Sequence, residues 1–445
     1  MGVLGIPINS RVFTQIEPEG ALFVRPLDWL PIDPLVESGD QKVVFLCAIF
    51  DQPTNVVSMR ISGAYTVDWG DGSAPENFSD GTLASKNFTF ASIPFSTQTT
   101  AGFRQIIVTV TPQASNDITS LDFSELPATA TGIDDWLNPL IDIKLSGSLI
   151  TSITFNSQVR SCFELAIFDW VGDNTISDFS NFLANGFLRI IKNLDTSSGT
   201  DFTNFLRDNQ LTSVALFNTS SGTNFTSFLQ NNQLTSVPLF NTSSGTDFTD
   251  FLLGNQLTSV PLFNTSSGTD FTRFLRDNQL TSVPLFNTSS GTDFNSFLVE
   301  NQLTSVPLFN TSSGTNFSSF LVDNQLTSVP LFDTSSGTDL RSFLRDNRLT
   351  SVPLFNTSSG TSFSSFLRDN RITRIRAASF NDSLNFSHSS FNRLSRPALV
   401  EIFTNLADRT SLGSLNINIT GTLGATSLTT EERQIATNKN WTITG

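Results

Sequence analysis

The chain has one tyrosine, one histidine and two cysteines in 445 residues. With a single histidine, His388, any Ser-His-Asp or Cys-His catalytic arrangement has to pass through that residue. It stands in Asn385-Phe386-Ser387-His388-Ser389-Ser390, with no carboxylate pair nearby in sequence, so a packing or surface role is expected. Cys47 and Cys162 cannot complete a zinc site with one histidine. They lie 115 residues apart in regions of different character, and no disulfide is expected between them. No run of about 18 apolar residues is present to span a membrane. The amino terminus lacks a basic segment followed by an apolar run, so no signal peptide is expected. Charged residues are 15% of the chain, against about 25% in typical soluble proteins, so solubility has to come from Ser, Thr and Asn. The 25 basic and 40 acidic residues give a net charge of −15, which disfavours nucleic acid or an anionic membrane as partner. No phosphate-loop, dinucleotide-binding or zinc-protease motif occurs, so neither an enzyme nor a cofactor or metal is expected.

What the chain does have is phenylalanine, 42 residues against the single Tyr65. A buried phenol needs a hydrogen-bond partner and a phenyl ring does not, so the bias fits a dry, stacked aromatic interior. The rings recur. Between Ile176 and Arg371 a pattern close to LTSVPLFNTSSGTDFTxFLxxNQ returns every 23 residues, with its glycine at Gly199, Gly222, Gly245, Gly268, Gly291, Gly314, Gly337 and Gly360. Self-similarity at a fixed short period predicts a solenoid, in which each unit buries its apolar side against its neighbours.

One copy can be read residue by residue. Leu211, Val214 and Leu216 fit an L-x-x-L-x-L strand, with Val214 and Leu216 turned inward and Ser213 outward. Later copies place Pro238, Pro261, Pro284, Pro307, Pro330 and Pro353 in the outward column. Proline cannot donate to a ladder, so the strand should be short and bend there. Strict alternation puts Phe217, Phe240 and their equivalents outside, whereas a bend at the proline turns them into the core, which is the favoured reading. Gly222 is available for a left-handed turn, and Thr223 should cap a short helical turn that places Phe225, Phe228 and Leu229 on one face. The asparagine closing each copy, from Asn209 to Asn370, should be buried with its amide bonded to adjacent rungs. Two acidic columns, Asp201, Asp247, Asp270, Asp293, Asp339 and Asp208, Asp277, Asp323, Asp346, Asp369, are interrupted by Asn, Gly or Ser, which argues against calcium.

Ahead of the repeats, strand-like runs at Lys42–Phe50, Val56–Asp68, Asn87–Ile93 and Phe103–Thr111 predict an all-β region. Within it, Val67-Asp68-Trp69-Gly70-Asp71-Gly72-Ser73 predicts a tight hairpin anchored by Trp69. This segment resembles the polycystic-kidney-disease-type β-sandwich, with Val67 where that family usually has an aromatic. The resemblance implies a spacer or attachment module. The repeats, with a helix expected at Ala398–Ala407 and a closing segment at Thr429–Thr444, resemble the leucine-rich repeats of BspA-like bacterial surface proteins and of phage virion proteins. That likeness implies adhesion or surface display, with no catalytic residues.

The expected fold is mainly β with short helical turns, an N-terminal β-sandwich followed by a right-handed leucine-rich-repeat solenoid. The expected divisions are an arm at 1–20, the sandwich at 21–115, irregular repeats at 116–198, regular repeats at 199–376 and a cap at 377–445. The expected function is that of a non-enzymatic bacteriophage virion protein, a fibre, decoration or tail-associated component. Its arm and sandwich would bind other virion proteins, and its repeats would meet a host surface glycan or protein. Several copies per particle or a homo-oligomer are expected, with no nucleic-acid or membrane partner. A bacterial cell-surface adhesin is the alternative, and an ice-binding column through Thr212, Thr235, Thr258 and Thr281 is a weaker one. The candidate interaction surface comprises the outward Ser213, Ser236, Ser259 and Ser282, and the variable positions just before each repeat's end, Arg207, Gln230, Leu253, Arg276, Val299, Val322 and Arg345, read as exposed.

Overall fold

Strand β1, Lys42–Ile49, reads KVVFLCAI and is buried at every residue but its first. A strand apolar on both sides has to be covered on both faces. The structure, a computed structural model, describes residues 23–52, 55–114, 116–125, 127, 136–137, 139–155, 165–378, 380–388, 391 and 393–445. The expected arm at 1–20 and Cys162 lie outside the described residues. Contacts divide the chain into two units, Met1–Ser221 with Asn232–Leu234, and Gly222–Asn231 with Thr235–Gly445.

In the first unit, β1 is followed by β2 (Asn55–Ser62), β3 (Tyr65–Asp68), β4 (Glu76–Phe78), β5 (Leu83–Asn87) and β6 (Arg104–Pro112). Then come β7 (Ser120–Asp122), β8 (Trp136–Leu137), β9 (Leu140–Ser146), β10 (Ser152–Thr154), β11 (Ile167–Trp170) and β12 (Ile190–Lys192). One sheet has the order β12-β11-β9-β1-β6-β3-β4 and the other β10-β7-β2-β5, with β8 beside β2. β1 sends Val44, Leu46 and Ala48 into a cluster with Phe23, Trp29, Ile32 and Val36. On its other face, Phe45 meets Phe123, just past β7, edge-on at 5.8 Å. β1 is antiparallel to both β6 and β9, whereas β9, β11 and β12 run parallel to one another. Ile167 pairs with Ile190, a step of 23 residues, so the repeat period is already built into this sheet. The sheet continues past residue 115, and the compact unit extends to Ser221.

β3 and β4 form a hairpin where one was expected, but residues 69–75 connect them, so the turn is a longer loop than the tight one expected. Gly70 and Gly72 have φ of +71° and +84°, and a side chain at Gly70 would strike the Ile107 carbonyl. Trp69 is buried, its ring edge-on to Phe88 at 6.2 Å. Two of the expected strands are corrected. Val56–Asp68 is divided between β2 and β3, which belong to different sheets, by Gly63 at φ +100°. Asn87–Ile93 contributes only Asn87 to a strand, and Phe90–Ser92 is a single 3-10 turn. The Arg104 guanidinium takes the Phe90 and Ile93 carbonyls at 2.9 and 2.7 Å, so they are engaged by a side chain rather than by a ladder.

In the second unit, residues 222–354 contain no strand segment among those described. Successive rungs are joined by single parallel bridges through Asn224, Asp247, Asp270, Asp293, Asn316, Asp339 and Ser362. The strand expected at L-T-S-V-P-L is therefore absent, because Pro261 has no N–H to give and the chain folds back beside it. The Phe263 N–H bonds the Pro261 carbonyl at 3.0 Å, closing a three-residue turn centred on Leu262. Nor is there a short helical turn after Thr269. Arg273, Leu275 and Asp277 have φ of +56°, +54° and +56°, and every second residue of this stretch is left-handed. A helix needs one hand throughout. Alternation instead sends the Phe271, Arg273 and Asp277 N–H groups forward to the carbonyls of Asp293, Asn295 and Val299, at 2.8–2.9 Å. The Leu275 N–H goes back to Phe251 at 3.0 Å. Each rung is thus bonded to both neighbours along this stretch.

After the rungs come β13 (Phe355–Asn356) and β14 (Ala377–Ala378), paired parallel, then β15 (Leu384–Asn385), β16 (Leu415–Asn418) and β17 (Trp441–Thr444) in one parallel sheet. Helix α1, Arg396–Thr404, has Pro397 in its first turn and buries Ala398, Leu399, Ile402 and Phe403. Helix α2, Thr430–Thr437, opens on a capping box between Thr429 and Glu432. Arg396 reaches Glu432 at 2.9 Å and Arg374 reaches Glu401 at 2.5 Å, so ion pairs tie the two helices and the last rungs together. The described chain is mainly β and contains no closed barrel.

Candidate functional site

The interior of each rung sets what its surface can offer. Phe271, Phe274 and Phe286 are 0, 0 and 1% exposed. Phe274 meets Phe271 and Phe286 edge-on at 5.6 and 5.3 Å. Each stacks on its equivalent in the preceding rung, Phe248, Phe251 and Phe263, at 5.7, 5.6 and 6.5 Å. Three columns of rings therefore run through the repeats with no place for a phenol oxygen, which accounts for the near absence of tyrosine. The column begun by Phe217 points inward, as the bent reading required. The expected left-handed glycine is corrected. Gly268 does not have positive φ, and a Cβ there would stand 2.7 Å from Phe271 and 2.9 Å from Phe248. Glycine is needed at this position to let the backbone approach the rings.

Polar columns hold the rungs together. The amide of Asn278 accepts the Leu257 N–H at 3.1 Å and donates to the carbonyls of Leu252 and Leu275 at 3.0 and 3.2 Å. Asn301, Asn324 and Asn347 repeat the arrangement one rung later each time. A second ladder had no counterpart in the sequence reading. Thr242, Thr265 and Thr288 are fully buried, and each hydroxyl donates to the asparagine carbonyl of the next rung at 2.7–2.8 Å. Its only signal in the sequence is a threonine held constant inside a turn.

The acidic columns have local work. Asp201, Asp247, Asp270 and Asp293 each accept the N–H two residues on, at 2.8–2.9 Å. These are Asx turns. The Asp208 column occupies the last left-handed position of each rung, where Asn231, Gly254 and Asp277 also stand. Asn, Asp and Gly tolerate that conformation best. In the hairpin, Asp71 bonds Ser73 and lies 2.5 Å from Lys86. Burial raises its carboxyl, but Lys86 and Ser73 outweigh this and bring it down to about 2. Among the described residues, no three His, Cys, Asp or Glu side chains are gathered to hold a metal. His388 does have a carboxylate neighbour, unseen in sequence, with its Nδ1 3.6 Å from Asp369.

The outward serines, Ser213, Ser236, Ser259 and Ser282, are exposed. The variable positions are not the exposed stripe expected. Gln230, Val299 and Val322 are 8, 4 and 5% exposed, held between rungs by the alternating-hand stretch. Arg207, Arg276 and Arg345 are partly buried there and paired with Asp208, Glu300 and Asp346 at 2.9, 3.0 and 2.8 Å. Serines and arginines therefore lie on different segments of a rung. The sequence reading also placed Leu216 inside, yet it is 66% exposed, and its equivalents follow it outward. The three-residue turn after each later proline gives the core position to phenylalanine and turns leucine to solvent.

No protein-family model and no curated protein matches the chain. Among solved structures, a leucine-rich-repeat protein of Leptospira interrogans is similar over 72% of this chain and 93% of that one, with 14% identity and a TM-score of 0.27.

Proposed function

We propose that the chain is a non-enzymatic structural protein of a bacteriophage virion, a fibre, decoration or tail-associated component. In this reading the rungs form a right-handed leucine-rich-repeat solenoid of the BspA-like kind, carried behind a polycystic-kidney-disease-type β-sandwich. The observation that supports it is how the rung uses its own polar groups. The buried amide, the buried hydroxyl and the Asx carboxylate all serve backbone groups of the same or a neighbouring rung. What remains outward is one short pattern repeated at every step. Such a face suits many weak contacts acting together better than it suits a single pocket. The arm and first sheet would hold other virion proteins, and the rungs would meet a host surface glycan or protein.

Purified phage particles and cell-wall fractions from the same culture, probed by quantitative mass spectrometry, test the assignment. Enrichment in the particles at several copies each supports it. Presence in the wall fraction alone overturns it in favour of a bacterial adhesin. Deleting two internal rungs should preserve folding and lower attachment gradually, whereas total loss from one point substitution would indicate a single site.

A further inference from the structure

One leucine per rung is left outside. Leu239, Leu262, Leu285, Leu308, Leu331 and Leu354 are 57, 57, 58, 57, 56 and 46% exposed and hold the same place in six successive rungs. Backbone geometry keeps them there, because the N–H of each following phenylalanine is bonded to the carbonyl of the preceding proline at 2.9–3.0 Å. Rotating a side chain cannot return the leucine to the core. Beside them stand half-buried Pro261 and exposed Thr258 and Ser259, with their equivalents. The six L-T-S-V-P-L-F segments contain no charged residue, in a chain whose net charge is −15.

We infer that this leucine stripe is the face through which a second copy of the same chain docks. The six leucines leave on the order of 600 Å² of contiguous apolar surface, at the top of what a monomer ordinarily exposes. With the flanking Pro, Val, Thr and Ser, the face approaches the about 800 Å² per partner that a stable dimer buries. Its composition fits, since interface cores are depleted of charge. The partner's identity follows from charge and symmetry. Two chains of like net charge approach most easily through their uncharged faces. A row of evenly stepped leucines turned end to end meets its own spacing, so one two-fold axis makes the stripe self-complementary. This inference does not depend on the virion reading.

Sedimentation equilibrium of the full chain from about 1 to about 100 μM, the range in which a moderate interface assembles, is the test. The mass should rise from 48.6 kDa toward twice that value. The Leu285→Glu/Leu308→Glu variant should stay at 48.6 kDa throughout, with an unchanged far-UV circular dichroism spectrum. Should that variant fail to fold, cysteines decide the matter. An oxidised mixture of Leu285→Cys chains with Leu308→Cys chains, one cysteine on each so that none can pair within its own stripe, should give a covalent dimer, and Ser313→Cys, exposed on another segment, should not. A native chain that stays monomeric across the range, a folded glutamate variant that still dimerises, or equal cross-linking at Ser313→Cys would overturn the inference.

Discussion

Replacing Asn278 by alanine should destabilise the protein by about 3–5 kcal/mol, far more than any exposed polar change in the same rung. The side chain is 7% exposed. It accepts the Leu257 N–H at 3.1 Å and donates to the carbonyls of Leu252, Leu275 and Arg276 at 3.0, 3.2 and 3.2 Å. Leu252, Leu257 and Leu275 are all fully buried, so water cannot replace the amide. Alanine removes the partner of the Leu257 N–H and a donor to the Leu252 carbonyl, at about 1–3 kcal/mol for each buried group left unpaired. Aspartate keeps the acceptor but points an anion at three carbonyls, so Asn278→Asp should be no milder. Ser259→Ala, on the exposed column, should stay within about 0.5 kcal/mol of the parent. Urea denaturation followed by circular dichroism gives the stabilities, and hydrogen exchange reports the Leu257 amide directly. Equal losses for Asn278→Ala and Ser259→Ala, or an unchanged exchange rate at Leu257, would refute the amide ladder.

Other outcomes follow from the same rungs. Phe274→Ala should cost about 3–5 kcal/mol by opening a cavity between two stacked rings, and Phe274→Tyr about 1–3 kcal/mol by burying an unpartnered hydroxyl; thermal melts compare the two. Gly268→Ala drives a Cβ toward Phe271 and Phe248 and should cost about 1–3 kcal/mol, which a denaturant midpoint with unchanged slope would verify. At φ +56°, Asp277→Val should lose about 1–2 kcal/mol, while Asp277→Gly stays near the parent, since Gly254 already occupies that column at φ +68°. The Asp71 carboxyl is held at about 2 against an ordinary 3.8, so its contribution is present above pH 3.8 and lost as the pH falls toward 2. Acid unfolding of Asp71→Asn should accordingly lose part of its pH dependence in that window, and an identical curve would count against the Lys86 pairing.

The period, the aromatic core and the asparagine ladder could be read in the sequence because each follows from spacing and from what a buried group requires. Phe274 has no polar atom to satisfy, and Asn278 has an amide that a buried position has to pair. The rung's backbone could not be read the same way. Templates of period 2 and 3.6 assume one hand of backbone, and the alternation at Arg273, Leu275 and Asp277 belongs to neither. Leu262 lies outward, against the alternation, for a related reason. Alternation counts residues along a straight strand, and the turn closed by Phe263 and Pro261 shifts that count by one. Val299 and Val322 read as exposed because a helical turn would give them a free outer face, whereas the alternating-hand stretch holds them between rungs. In the first unit, the contact between Phe45 and Phe123 and the continuation of the sheet through β9, β11 and β12 depend on long-range pairing, which a single sequence does not display.

The near identity of the rungs has a consequence for inheritance. Because Asn278 bonds backward to Leu252 and Leu257 just as Asn301 bonds backward to Leu275 and Leu280, a rung fits its neighbours regardless of its place in the series. The units are nearly identical in amino-acid sequence, so an in-frame gain or loss of 23 codons adds or removes one whole rung. Each such event leaves ring columns and ladders continuous across the junction. Copy number can therefore drift between lineages without passing through an unfoldable intermediate, and selection on the length of the series acts free of selection on its core.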